Sequence, residues 1–112
     1  MMKPVIIESP FKASSKYSEE AHVEYAQRCM HDALLRGEAP YESHLLYTQP
    51  NVLDDSVPEE RKLGIEAGFA WKHQAGVLTV FYTDCGWSQG MRMAHTYCIA
   101  NNLPYEIRSL HA

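Results

Sequence analysis

Cysteine is scarce in this 112-residue chain: Cys29, Cys85 and Cys98 stand far apart, and no C-x-x-C pair occurs. A scattered, odd-numbered set argues against a disulfide framework and against a zinc site, and points to a reducing compartment. The six histidines show no H-x-x-x-H spacing, so no metal is expected. Clustered Lys and Arg are also missing and the net charge is −4, which argues against a duplex nucleic-acid partner. No apolar run approaches membrane-spanning length, and the first residues lack the apolar core of a signal peptide. The expectation is a single cytoplasmic domain over residues 1–112, with no membrane partner and no cofactor. Neither G-x-x-x-x-G-K-[ST] nor G-x-G-x-x-G occurs, so no phosphate-loop fingerprint is available to name a nucleotide outright.

What is present is a regular alternation. Pro4-Val-Ile-Ile7 reads as a strand buried on both faces. Ser18-Glu-Glu20 starts a helix that runs to about Arg36, with Ala21, Tyr25, Cys29 and Ala33 on its expected buried stripe, beside Ala26, Met30 and Leu34, and Gly37 as its stop. A second strand is expected within Tyr41–Tyr47, and residues 48–57 form an irregular loop of functional length. Ser56-Val-Pro-Glu59 opens another helix, either through a capping box or with Pro58 at its first position, and reaches about His73. Leu63, Ala67, Ala70 and Trp71 are its expected apolar side. Val77–Thr83 is a β-branched and aromatic strand. Asp84-Cys-Gly-Trp-Ser-Gln-Gly-Met91 turns it into a last helix, Asn101-Asn102 close that helix, and Leu103–Arg108 supplies a final strand. The order β-α-β-α-β-α-β predicts a small Rossmann-like, three-layer α/β/α sandwich with a four-stranded parallel sheet in the order 2-1-3-4.

Such sheets bind ligands beyond the carboxyl ends of their strands, where the strand order reverses. That rule gathers Glu8, Ser9, Pro10 and Phe11, the Asp84–Ser88 turn, Tyr47 and the 48–57 loop into one crevice. The glycine turn running into a helix N-terminus is the expected anion cradle, built by Gly86, Ser88, Gly90 and Met91. Ser88 also reads as a plain helix cap, and Asp84 either accepts a sugar hydroxyl or organises its own turn. Glu8 either binds sugar hydroxyls, acts as a base, or pairs with Lys12 or Arg61. Phe11 and Trp87 are candidates for stacking on a base. Arg61 is the candidate phosphate contact, and His44 is either a hydrogen-bonded structural residue or a ligand contact.

Val5-Ile-Ile-Glu-Ser-Pro-Phe11, Gly37-Glu-Ala-Pro40 before Ser43-His-Leu-Leu-Tyr47, and Tyr82-Thr-Asp84 with Gly86-Trp-Ser-Gln-Gly90 together carry a resemblance. Over the whole chain the sequence resembles the nucleoside 2-deoxyribosyltransferase-like superfamily and the related SLOG-type nucleotide-signal binding domains. It is also similar to small proteins encoded by tailed phages, which share Glu-Ser-Pro-Phe and Thr-Asp-x-Gly segments. The resemblance implies a nucleotide or nucleoside-derived ligand. In the transferases a glutamate follows the Ser-x-Gly element and attacks the anomeric carbon. Here Met91-Arg-Met-Ala-His-Thr96 stands at that place, and no carboxylate occurs between Asp84 and Glu106.

The expected function is therefore non-catalytic nucleotide binding. The phage resemblance adds a use, the sequestering of a cyclic nucleotide or ADP-ribose-type immune signal in the host cytoplasm. The alternative is an N-glycosidase or deoxyribosyltransferase-like enzyme with Glu8 and Asp84 as its catalytic carboxylates. A further alternative is an interaction module with a vestigial crevice. A homodimer is expected in each case, because a small sheet leaves edges to cover.

Overall fold

Residues 1–111 are described by a computed structural model. The elements are β1 (Lys3–Glu8), α1 (Glu19–Leu35), β2 (Glu38–Tyr41), α2 (Ser43–Leu46), α3 (Pro58–Lys72), β3 (Leu78–Tyr82), α4 (Gln89–Ala100) and β4 (Tyr105–Arg108). All strand pairs are parallel, and the sheet order is β2-β1-β3-β4. This is the small Rossmann-like α/β architecture that the alternation of elements predicts.

Strand pleating sends successive side chains to opposite faces, and both faces are covered. Val5 and Ile7 of β1 and Val80 and Tyr82 of β3 meet Tyr25, Cys29 and Ala33 of α1. On the other face Phe81 meets Met91, Ala94 and Cys98 of α4, with Phe69, Trp87 and Leu103 at the margin. Full burial of a side chain such as Ile7 or Phe81 contributes about 1.5–3 kcal/mol.

Element ends follow local chemistry. Ser18 and Ser88 cap α1 and α4 by accepting from the N–H of Ala21 and of Met91. Gly37 takes the left-handed conformation (φ 82°) that releases the chain from α1 into β2. Pro58 stands at the start of α3, which has no side-chain cap, so the proline reading of that start is the correct one.

Two expectations need correction. The second strand is Glu38–Tyr41, which shares only Tyr41 with the expected Tyr41–Tyr47; Ser43–Leu46 instead forms a one-turn helix, capped by the Glu42 side chain. The sheet-facing side of α3 is also not its apolar stripe. Leu63 and Trp71 are exposed, whereas Gly68 and Lys72 are buried. Gly64 and Gly68 turn towards the 48–57 loop and α2, whose approach the small residues permit, and Lys72, four residues further on, reaches Glu8 of β1. Ser43 lies 3.8 Å, and Leu53 3.4 Å, from where a Cβ on Gly68 and on Gly64 would stand.

Candidate functional site

β1 ends in Glu8, whose side chain points to the α3/α4 face, opposite to that of Ile7. This position borders the gap between β1 and β3, from which the chain order runs in opposite directions, so it is the switch point of the sheet. A cleft opens there between α2, α3 and the first turns of α4. Glu8, His44, Tyr47, Arg61, Lys72 and Gly90 are among the residues that line it. Its cavity volume is about 60 Å³. That is less than the roughly 150 Å³ that accepts a benzene ring, so the cleft admits part of a ligand and not a whole nucleotide. Beside it lies a broad open hollow of about 1020 Å³, bordered by Phe11, Lys12 and the 48–57 loop. Thr48, Leu53, Asp55 and Glu60 line both spaces, which makes the two contiguous.

The cleft is highly charged. Lys72 Nζ donates to Glu8 Oε2 at 2.5 Å, and the ammonium group is almost fully buried. Only one oxygen of Glu8 is used in this way; among the described residues Oε1 has no hydrogen-bond partner. Arg61 reaches Asp55 at 3.4 Å across the rim. Glu8, Asp55 and Glu60 thus face Arg61 and Lys72, and both cations are already paired within the protein.

Behind the cleft wall sits Glu42, which is fully buried. Its Oε2 accepts from Ser9 Oγ at 2.9 Å and its Oε1 from the N–H of His44 at 3.1 Å. One carboxyl therefore ties the end of β1 to the start of α2, the helix that carries His44 towards the cleft. Burial, reinforced by the charge of Glu8, pushes the Glu42 pKa up to about 8, so this group is mostly protonated at neutral pH. His44 stacks on Phe11 with ring centroids 5.1 Å apart and planes 7° from parallel. Burial lowers its pKa, which keeps the imidazole neutral.

The expected site residues divide into those the cleft gathers and those it does not. Glu8, His44, Tyr47, Arg61 and Gly90 line it, and Phe11 borders the adjoining hollow. Ser9 and Pro10 are buried beneath, Ser9 through its bond to Glu42. Met91 belongs to the core. Gly86 is exposed with φ 85°, and Ser88 serves as a cap. Trp87 lies against Phe81 and His95, at centroid distances of 5.2 Å each, so it is not free to stack on a base.

Asp84 turns towards α1. It accepts from Tyr25 Oη at 2.6 Å, from the N–H of Leu110 at 3.0 Å and from Ser109 Oγ. Burial alone would raise its pKa, but these hydrogen bonds outweigh it and bring the group down to about 2. A carboxylate so engaged is a fixed structural anion and not a general acid. The glycine turn is therefore not the floor of the cleft; only the Gly90 side of α4 reaches it.

Lys72 and Glu42 were not anticipated. The four-residue spacing of Gly64, Gly68 and Lys72 was the one available signal for Lys72. Glu42 carried only the weak hint of an acidic residue just before a helical turn. No curated protein and no solved structure matches the chain. Residues 3–108 match a family described as a domain of unknown function, DUF7768, and the chain belongs to that family.

Proposed function

We propose that the protein binds a small nucleoside-derived molecule without turning it over. A hydroxyl-bearing sugar edge enters the narrow cleft, and the base extends into the adjoining hollow beside Phe11. The observation that carries this reading is that Glu8, whose Oε1 has no hydrogen-bond partner among the described residues, lines a cleft too small for a whole nucleotide but open to a much larger space. An ionised carboxylate with an unused oxygen is a strong acceptor for sugar hydroxyls. Three carboxylates against two paired cations also disfavour a polyphosphate, so a nucleoside or monophosphate suits the lining better than the more negative guest that an anion cradle would take.

Calorimetry with nucleosides, nucleoside 5′-monophosphates and nucleoside triphosphates tests this. Binding is expected in the first two classes and weakened in the third. Glu8→Gln should lower affinity at least about tenfold, the effect of losing one charge-assisted hydrogen bond. Heat signals absent from every class, with folded protein, would end the proposal.

The same free oxygen also supports a second reading, in which Glu8 is the base of an N-glycosidase. Chromatographic release of free base, abolished in Glu8→Gln, distinguishes turnover from binding.

A further inference from the structure

One wall of the cleft depends on a very short element. α2 is a single turn, too short to be stable through its own hydrogen bonds, so its place is set by what holds it from outside. Ser43, His44, Tyr47 and Thr48, from α2 and the two residues after it, all line the cleft. Three ties fix this stretch. The His44 ring stacks on Phe11, the Thr48 hydroxyl donates to the His44 carbonyl, and the His44 N–H donates to Glu42 Oε1. Only the last tie runs to a carboxyl, and the same carboxyl is joined through Ser9 to the end of β1.

We infer that Glu42 is the positioning residue of the cleft: as a neutral acid it holds α2, and with it His44, in the binding arrangement, and when ionised it releases them. The consequence for affinity rests on the cleft being the ligand site, as proposed above. Neutral Glu42 satisfies both of its contacts. Oε1 accepts from the His44 N–H, and Oε2 carries the proton towards the Ser9 hydroxyl, 2.9 Å away, which can accept as well as donate. Ionised Glu42 is a fully buried charge to which no cation is bonded among the described residues. Glu8 of β1 adds a like charge, and Lys72 of α3, the cation that faces both carboxyls, is bonded to Glu8. The other titratable neighbours do not compensate. His44 of α2 is kept neutral by burial, which also pushes the Cys29 thiol of α1 up to about 12 and raises the Tyr41 hydroxyl at the end of β2. An ionised Glu42 is therefore relieved only by moving towards water. Because its Oε1 holds the start of α2, that movement takes His44 off Phe11.

Nuclear magnetic resonance of the ligand-free chain between pH 6.5 and 9.5 reads the coupling without any ligand. The His44 amide and the His44 ring protons, which feel the Phe11 ring, should shift together with a midpoint near 8, and neither should titrate in Glu42→Gln. Calorimetry with adenosine and cytidine, whose bases do not titrate over that range, reads the consequence. The wild-type dissociation constant should rise about tenfold from pH 7 to pH 9, where only about a tenth of the protein keeps the proton, and Glu42→Gln should bind equally at both. If Glu42→Gln fails to fold, Ser9→Ala decides: it removes a hydrogen bond that favours the charged form, so the His44 midpoint should move up. His44 signals that do not titrate, or a titration that neither variant alters, overturn the inference. So does a wild-type affinity that is the same at pH 7 and pH 9. If no nucleoside binds at either pH while His44 titrates as expected, the nucleoside reading falls and the positioning by Glu42 stands.

Discussion

Glu42 is a carboxyl group kept uncharged by its surroundings, and this has a direct consequence for stability. Its ordinary pKa is 4.5, and in the folded protein it stands at about 8. Between those values the unfolded chain releases a proton that the folded chain retains. Stability from this group is therefore complete below about pH 4.5 and is lost as the pH rises towards 8, with a limiting slope of about 1.4 kcal/mol per pH unit. Glu42→Gln, which keeps an oxygen for Ser9 or His44 but cannot ionise, should remove that slope. Urea unfolding of both proteins at pH 5, 6, 7 and 8 should show the variant gaining on the wild type as pH rises; parallel curves would refute the assignment. Glu8 and Lys72 test a different property, since removing one partner leaves a buried charge alone. Lys72→Met should cost about 3–5 kcal/mol, and the double variant Glu8→Gln, Lys72→Met should recover much of it, as measured by thermal unfolding. Glu8 was legible in the sequence because a charged residue at the end of an apolar strand is conspicuous. Lys72 was not: a lysine in the last turn of a helix reads as a solvated charge favoured by the macrodipole. Only the approach of β1 to that turn, a long-range contact, makes it a buried partner.

The helices and strands themselves were readable where a local signal set their ends. Ser18, Gly37 and Ser88 act where the sequence placed them, because caps and left-handed turns depend on a few neighbouring residues. α2 was missed for the same kind of reason: four residues, Ser43–Leu46, are too few to show a helical period, and Leu45-Leu46 next to Tyr47 reads as strand. Gly90 shows how an element changes a residue's meaning. In the sequence it belongs to the glycine turn of the expected anion cradle, yet in the structure it is the second residue of α4, and a Cβ there would find nothing nearer than Ser88 Oγ at 3.9 Å. Gly90→Ala should therefore raise stability, by about 0.5–1 kcal/mol, through the helix propensity of alanine. Ser88→Ala should lower it by about 1 kcal/mol through loss of the cap. Thermal unfolding checks both. Because Ser88 does not line the cleft, calorimetry should find nucleoside affinity little changed in Ser88→Ala; a large loss would return the turn to the binding site.

At the scale of the whole molecule, strand order was legible because alternating strands and helices allow few right-handed arrangements. The side chains that lock the arrangement were not, since they join residues distant in sequence. Arg108 of β4 makes a two-point ion pair with Glu38 of β2, at 2.7 and 2.6 Å, and so joins the two outer strands. Asp84 joins α1, the end of β3 and the chain after β4, through Tyr25, Ser109 and Leu110. That second junction makes a claim about acid. The ordinary pKa of Asp84 is 3.8, and its bonded carboxylate titrates at about 2, so the folded chain gives up this proton more readily than the unfolded one. Its contribution is present above about pH 3.8 and disappears as the pH falls through 2. Tyr25→Phe removes both the bond from Oη to the carboxylate and the bond that the same oxygen accepts from the Asp84 N–H. At neutral pH the variant should be less stable by about 1–3 kcal/mol, the cost of leaving buried polar groups unsatisfied. As the pH falls from 5 towards 2 the wild-type advantage should shrink, because protonated Asp84 loses the charge-assisted part of the bond, and it should not vanish, because the bond to the backbone N–H persists. Urea unfolding of both proteins at pH 6, 4, 3 and 2 measures this directly. A difference that stays constant over that range would mean that Asp84 is not the ionised hub of the junction, and that the three segments are joined by apolar contact alone.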